Sequence, residues 1–286
     1  MTIRTLVSAI ELAALQARGN VLIVDCRFDL ADAGKAERDY VAAHIPGAVY
    51  AHLDRDLSDL SKRGVGRHPL PDDAAFSASL SRWGWRPELD VVAYDDANGA
   101  LAAARLWWLL RLAGHEHVAV LDGGLKAWIA AGLALESGEM LRKRSQVQVT
   151  FDLDEVVWFD EIKRRHQDDS ILLLDARAAP RYRGEVEPID PVAGHVPGAL
   201  NRPFSENLDA NGHFKTAVEL RGEFERLLGA RAAREIAHSC GSGVTACHNL
   251  LAMEHAELRG SRVFAPSWSG WVSDPSRPVA VGDKPQ

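Results

Sequence analysis

The residues best suited to chemistry lie in the stretch HSCGSGVTAC, where Cys240 stands between an apolar run expected as a strand over 234–238 and a helical pattern expected over 243–256. A strand–loop–helix junction at the carboxyl end of a strand is where open α/β sheets place their ligands. The glycines at 241 and 243 let the backbone curl so that successive N–H groups point inward at an anion. A helix that begins just afterwards turns its positive end to the same spot, which favours a thiolate or a persulfide. Sulfur at such a place suits a nucleophile that collects another sulfur and passes it on. A single cysteine is more often a small buried hydrophobe than a nucleophile, and Cys26, inside an apolar strand, and Cys247, within a helix, both take that reading.

Two other chemistries share parts of this pattern. His238, Cys240, Cys247 and His248 lie close enough to suggest a metal, but H-x-C-x6-C-H matches no standard zinc spacing. A cysteine phosphatase also holds an anion in a loop before a helix, with an arginine six residues after the cysteine to clamp phosphate. That position is Ala246, which counts against phosphoryl transfer.

The elements that must position Cys240 come from a chain written twice. VLIVDCR at 21–27 returns as ILLLDAR at 171–177, and His44-Ile45-Pro46-Gly47-Ala48 returns as His195-Val196-Pro197-Gly198-Ala199. VLDGGLKAW at 120–128 aligns with VFAPSWSGW at 263–271. In the first half, strands are expected at 21–25, 90–94 and 118–121, and helices at 6–17, 72–83 and 99–113. In the second, strands are expected at 171–175, 234–238 and 262–265, and helices at 155–166, 217–228 and 243–256. Apolar strands alternating with helices indicate an α/β fold, here two domains each built on a parallel sheet flanked by helices. The polar segment 138–150 reads as the linker between domains 1–137 and 151–286, short enough for the two to pack together.

Within the repeat, His-x-Pro-Gly-Ala reads as a Pro-Gly turn before a short strand, and Asp-x-Arg as a structural ion pair. Asp25 and Arg27 occur in the half that lacks the key cysteine, so this pair is not catalytic by itself. At the nucleophile's place the first half carries Asp95, which makes that copy catalytically silent.

The bulk properties exclude other classes. A net charge of −7 offers no basic surface for nucleic acid or anionic membrane. Three cysteines are too few for a disulfide framework and fit a reducing compartment, so cytoplasmic is the expected location. The N-terminal stretch, interrupted by Glu11, reads as an amphipathic helix and not as a signal peptide; no apolar run is long enough for a transmembrane helix.

With these residues in place, the chain resembles the tandem-domain rhodaneses, over nearly its whole length, and CGSGVT resembles the loop of the 3-mercaptopyruvate sulfurtransferases. Thiosulfate-using members carry basic residues just after the cysteine; here those positions are Gly241 and Ser242. The resemblance implies a persulfide on Cys240, its outer sulfur held by the backbone of Gly241, Ser242, Gly243, Val244 and Thr245. It implies that Arg181 binds the substrate carboxylate and that Ser242 joins His68 and Asp56 of the other domain in a proton relay. Without the resemblance His68 and Asp56 read as solvated loop residues. A second carboxylate-binding arginine is expected in an E-P-R-D segment, but this chain has Glu187-Pro188-Ile189-Asp190, which leaves Arg181 as a single anchor. Pro266 also departs from the family's Tyr-x-Gly-Ser-Trp pattern.

The expected activity is therefore transfer of sulfur from a small-molecule donor, mercaptopyruvate, to a thiol, a thioredoxin-like protein or cyanide, with no metal or organic cofactor. A thiosulfate-preferring enzyme is the nearest alternative, and a non-catalytic sulfur-relay module the alternative from another class.

Overall fold

The computed structural model describes residues 5–167 and 170–283. The chain forms two compact units. One comprises residues up to Asp59, Leu70–Asp152 and Asn211–His213; the other comprises Leu60–Pro69, Leu153–Ala210 and Phe214 onward. The halves of the sequence thus exchange short pieces, and residues 60–69 are built into the second unit.

The first unit holds β1 (Leu6–Val7), β2 (Val21–Asp25), β3 (Val49–Tyr50), β4 (Asp90–Tyr94) and β5 (Val118–Leu121) in a parallel sheet of order β1-β5-β4-β2-β3. The second holds β6 (Val156–Val157), β7 (Leu172–Asp175), β8 (Leu200–Asn201), β9 (Ile236–Ser239) and β10 (Arg262–Phe264) in the matching order β6-β10-β9-β7-β8, again all parallel. Every residue of β2 is buried, as expected of strands covered on both faces. In the first unit Leu12, Ile23, Val92, Leu121 and Trp128 close one core cluster; in the second Ile162, Leu173, Val196, Phe264 and Trp271 close its counterpart.

The three strands expected in the first half keep their bounds. Several helical expectations shorten at the N-terminal end, two of them because a short strand takes the first residues. Leu6–Val7 pairs with β5, and the helix begins at Ala9 because Ser8 and Glu11 form a reciprocal capping box. Likewise Val156–Val157 pairs with β10 before a helix over Phe159–Gln167. The expected helix at 99–113 starts only at Ala103, after the loop that Asp95 organises.

Both repeated turns are built as expected. Ala48 N–H donates to Ile45 C=O at 3.0 Å and Ala199 N–H to Val196 C=O at 3.1 Å, each leading into the short strand β3 or β8. Gly47 and Gly198 take φ of +75° and +79°, which only glycine adopts without strain. His44 Nδ1 meets Tyr40 O at 2.7 Å and His195 Nδ1 meets Tyr182 O at 2.8 Å, each ring stacked on that tyrosine. The Asp-x-Arg pairs are internal ion pairs, Arg27–Asp25 at 2.6 Å and Arg177–Asp175 at 2.7 Å, buried in both units. Residues 138–150 form no helix or strand, and their backbone is held to the first unit, for example Ser145 N–H on Ser81 C=O at 3.0 Å.

Candidate active site

β9 is the middle strand of the second sheet, and Cys240 follows its last residue. The cysteine backbone is fixed from both sides: its N–H donates to Ser267 Oγ at 3.1 Å, and its C=O accepts from Trp268 N–H at 3.0 Å. Ser269 N–H then takes Gly241 C=O at 2.8 Å. The loop curls back at Gly243, whose φ of +80° and closeness to the Ala265 carbonyl leave no room for a side chain. This curl brings Gly243 N–H to 3.2 Å from Cys240 Sγ. Among the described residues the N–H groups of Gly241, Ser242 and Val244 meet no acceptor in the protein. Cys247 N–H on Val244 C=O and His248 N–H on Thr245 C=O open the helix Ala246–His255. The loop therefore sets Gly243 N–H against the sulfur and keeps three further backbone N–H groups without an acceptor just before a helix, a place suited to an anion.

The first unit has the same loop with its anion built in. Asp95 is fully buried, and its carboxylate accepts five N–H bonds, from Ala97, Gly99, Leu101, Ala102 and Ala103, at 2.8 to 3.2 Å. Burial pushes its carboxyl up, and the N–H donors oppose that shift. The side chain occupies the donors that a substrate anion would need, which is the physical reason for the silence expected of this copy.

Two residues past the nucleophile, Ser242 Oγ lies 2.8 Å from His68 Nδ1, and both side chains are buried. His68 is expected above from the other domain; it sits instead on the 60–69 segment that packs into the second unit. Arg67 N–H donates to Ser269 Oγ at 2.9 Å, and Ser273 Oγ donates to Gly64 C=O at 3.2 Å, which ties that segment down. Asp56 belongs to the first unit. It is buried there, its carboxylate accepting from His52 N–H at 2.8 Å, from Ser79 Oγ, and from the guanidinium groups of Arg55 and Arg82.

Arg181 is held in shape by carboxylates. Its Nε and Nη2 grip Glu187 at 3.2 and 2.6 Å, and Nη2 reaches Asp190 at 3.4 Å. This leaves Nη1 without a protein partner. Ile189 is 45% exposed and contributes only its N–H, to Glu187.

Three of the four residues weighed as metal ligands have other partners: His238 Nε2 meets Ser261 Oγ at 3.0 Å, Cys247 Sγ meets Gly243 O at 3.4 Å, and His248 Nδ1 meets Asn207 at 3.1 Å. Burial drives the His238 imidazole down to about 3, so it is neutral at physiological pH. Cys26 and Cys247 are fully buried, as expected of packing residues. Pro266 caps the helix Ser267–Trp271, a position where its missing N–H costs nothing, and its C=O accepts from Gly270 N–H at 3.0 Å.

Arg67 is absent from the sequence-based site, although it adjoins His68. Its Nη1 donates to Asp190 at 2.6 Å, across a separation of 123 residues that no local pattern reveals.

Among the described residues, no helix is long and apolar enough to cross a membrane. The profile of the rhodanese-like domain matches residues 8–131 and again 159–274. A Pseudomonas aeruginosa protein named "Probable 3-mercaptopyruvate sulfurtransferase" is 47% identical, covering 99% of this chain and 100% of that one. A Mycobacterium tuberculosis protein named "Putative thiosulfate sulfurtransferase SseB" is 40% identical, covering 98% of both. The crystal structure of SseA from Escherichia coli, described as a 3-mercaptopyruvate sulfotransferase, superimposes with a TM-score of 0.79 at 30% identity, covering 93% of this chain and all of that one. Two matched domains, two matching parallel sheets and full-length likeness lead to one conclusion: the chain belongs to the rhodanese-like family, as a tandem-domain sulfurtransferase.

Proposed function

We propose that this sulfurtransferase takes its sulfur from 3-mercaptopyruvate and carries it as a persulfide on Cys240. The observation that carries the reading is the 2.8 Å contact of Ser242 Oγ with His68 Nδ1, beside the nucleophile's loop. The thiolate attacks the donor's thiol sulfur, the carbon–sulfur bond breaks, and pyruvate leaves as its enolate. That enolate needs a proton at carbon, and in this reading Ser242 backed by His68 relays it. Sulfite, the product from thiosulfate, leaves as a stable anion and needs none. Asp56 is the third relay member that the resemblance implies, but its carboxylate is held within the first unit by His52, Ser79, Arg55 and Arg82, and the relay proposed rests on Ser242 and His68 alone.

The new persulfide lies among the backbone donors of Gly241 to Thr245, and Arg181 meets the donor's carboxylate. An acceptor thiolate then attacks the outer sulfur, leaving as a persulfide and restoring the Cys240 thiolate; cyanide does the same and leaves as thiocyanate. A thioredoxin-like dithiol is the proposed protein acceptor. The three free, buried cysteines fit a reducing compartment, the cytoplasm. By sequence the catalytic half spans 151–286 and the silent one 1–137, with 138–150 between them; the 60–69 stretch of the silent half belongs to the catalytic unit.

Steady-state kinetics with both donors and one shared acceptor test the donor. The expected kcat/KM is about tenfold or more higher with mercaptopyruvate. A tenfold preference for thiosulfate would replace this reading with the thiosulfate enzyme, the donor in the name of the Mycobacterium tuberculosis relative.

A further inference from the structure

We infer that Arg67 is the second carboxylate anchor of the donor site, doing from the 60–69 segment what the absent arginine at position 189 does not. The inference deepens the proposed mercaptopyruvate reading and rests on it. Arg67 and Arg181 converge on one small region of the second unit. Asp190, buried on the same segment as Ile189, accepts from Arg67 Nη1 at 2.6 Å and from Arg181 Nη2 at 3.4 Å, so a single carboxylate holds both guanidinium groups. Both reach over the residue after the nucleophile: a methyl group on Gly241 would lie 3.2 Å from Arg67 Nη2 and 3.7 Å from both Nη1 and Nη2 of Arg181. The absence of a side chain at 241 is what gives them this space.

Each group keeps one terminal nitrogen near the loop free of a protein acceptor. Arg181 spends Nε and Nη2 on Glu187 and Asp190 and keeps Nη1. Arg67 spends Nη1 on Asp190 and keeps Nη2, and its buried Nε has no partner. A guanidinium with unmatched N–H groups takes an acceptor readily, and two such groups sharing one counter-ion suit the two oxygens of a carboxylate. The Arg67 side chain is 28% exposed, so an incoming ligand can reach it. The carboxylate of the donor would then rest between Arg67 and Arg181, with its sulfur directed at Cys240. Ile189, 45% exposed, is left out of the anchor.

The test compares Arg67→Gln, Arg67→Lys and Ile189→Gln in the full chain, reading KM and kcat for mercaptopyruvate and competitive inhibition by pyruvate. Arg67→Gln should raise KM and the pyruvate inhibition constant at least about tenfold, with kcat within about threefold of wild type. Arg67→Lys keeps the charge without the fork and should fall between the two; Ile189→Gln should change neither constant. An Arg67→Gln enzyme whose KM and pyruvate inhibition stay within twofold of wild type overturns the inference. So does a loss confined to kcat that lysine does not relieve, because that marks Arg67 as a support for His68. The donor reading fails separately, through the wild-type ratio of the two donors, and pyruvate inhibition reports on the anchor whichever donor is preferred.

Discussion

Cys240→Ser abolishes sulfur transfer, leaving at most about a thousandth of the wild-type rate with either donor. The loss is this large because the serine hydroxyl is neither ionised at neutral pH nor able to form the persulfide bond, so no other group takes over. The loop around it survives: Ser267, Trp268 and Ser269 hold the backbone of residues 240 and 241, not the thiol. Melting of the variant should therefore stay near wild type while activity disappears. Cys26→Ser and Cys247→Ser serve as controls and should keep most of the activity. Both thiols are fully buried, and Cys247 Sγ meets the Gly243 carbonyl, a contact that serine can also make. Steady-state rates of the three variants decide the point; a Cys247→Ser enzyme as dead as Cys240→Ser would move the chemistry to the helix.

The second large effect is selective. Ser242→Ala and His68→Ala should each lower kcat with mercaptopyruvate about a hundredfold, in the range of a general acid–base group, and change turnover with thiosulfate less than about fivefold. The asymmetry follows from the leaving groups, an enolate that must be protonated and a sulfite that need not be. The pair is joined by one 2.8 Å contact, so the double variant should lose little more than either single one. Equal losses with both donors would reduce the two residues to shaping the loop.

Much of this was legible in the amino-acid order, for identifiable reasons. β2, β4 and β5 are apolar runs, closed by Asp25 in β2 and opened by Asp90 in β4, set between polar turns, so their bounds are readable from the residues. Pro-Gly after each histidine dictates a turn, and Gly-Ser-Gly after Cys240 dictates a curl, because few backbones other than these admit such residues. The two-residue edge strands were not legible. Leu6–Val7 continues the apolar pattern of the helix that follows it, and only the Ser8–Glu11 cap separates them. The fate of residues 60–69 was hidden for another reason. Polar and without period, the segment reads as loop, and its place is set by partners far along the chain: Asp190, Ser242 and Ser269. No local pattern marks Arg67 for that reason, whereas Ile189 stands in a recognisable Glu-Pro-x-Asp segment.

The most direct measurement of the central claim uses no acceptor. Reduced protein is mixed with one equivalent of mercaptopyruvate, released pyruvate is counted, and intact mass and peptide mapping locate any added sulfur. The account predicts about one pyruvate per chain and one extra sulfur, confined to the peptide that carries Cys240 and removed again by an added thiol. Pyruvate release without a sulfur on the protein, or a sulfur carried on Cys26 or Cys247 instead, would contradict it.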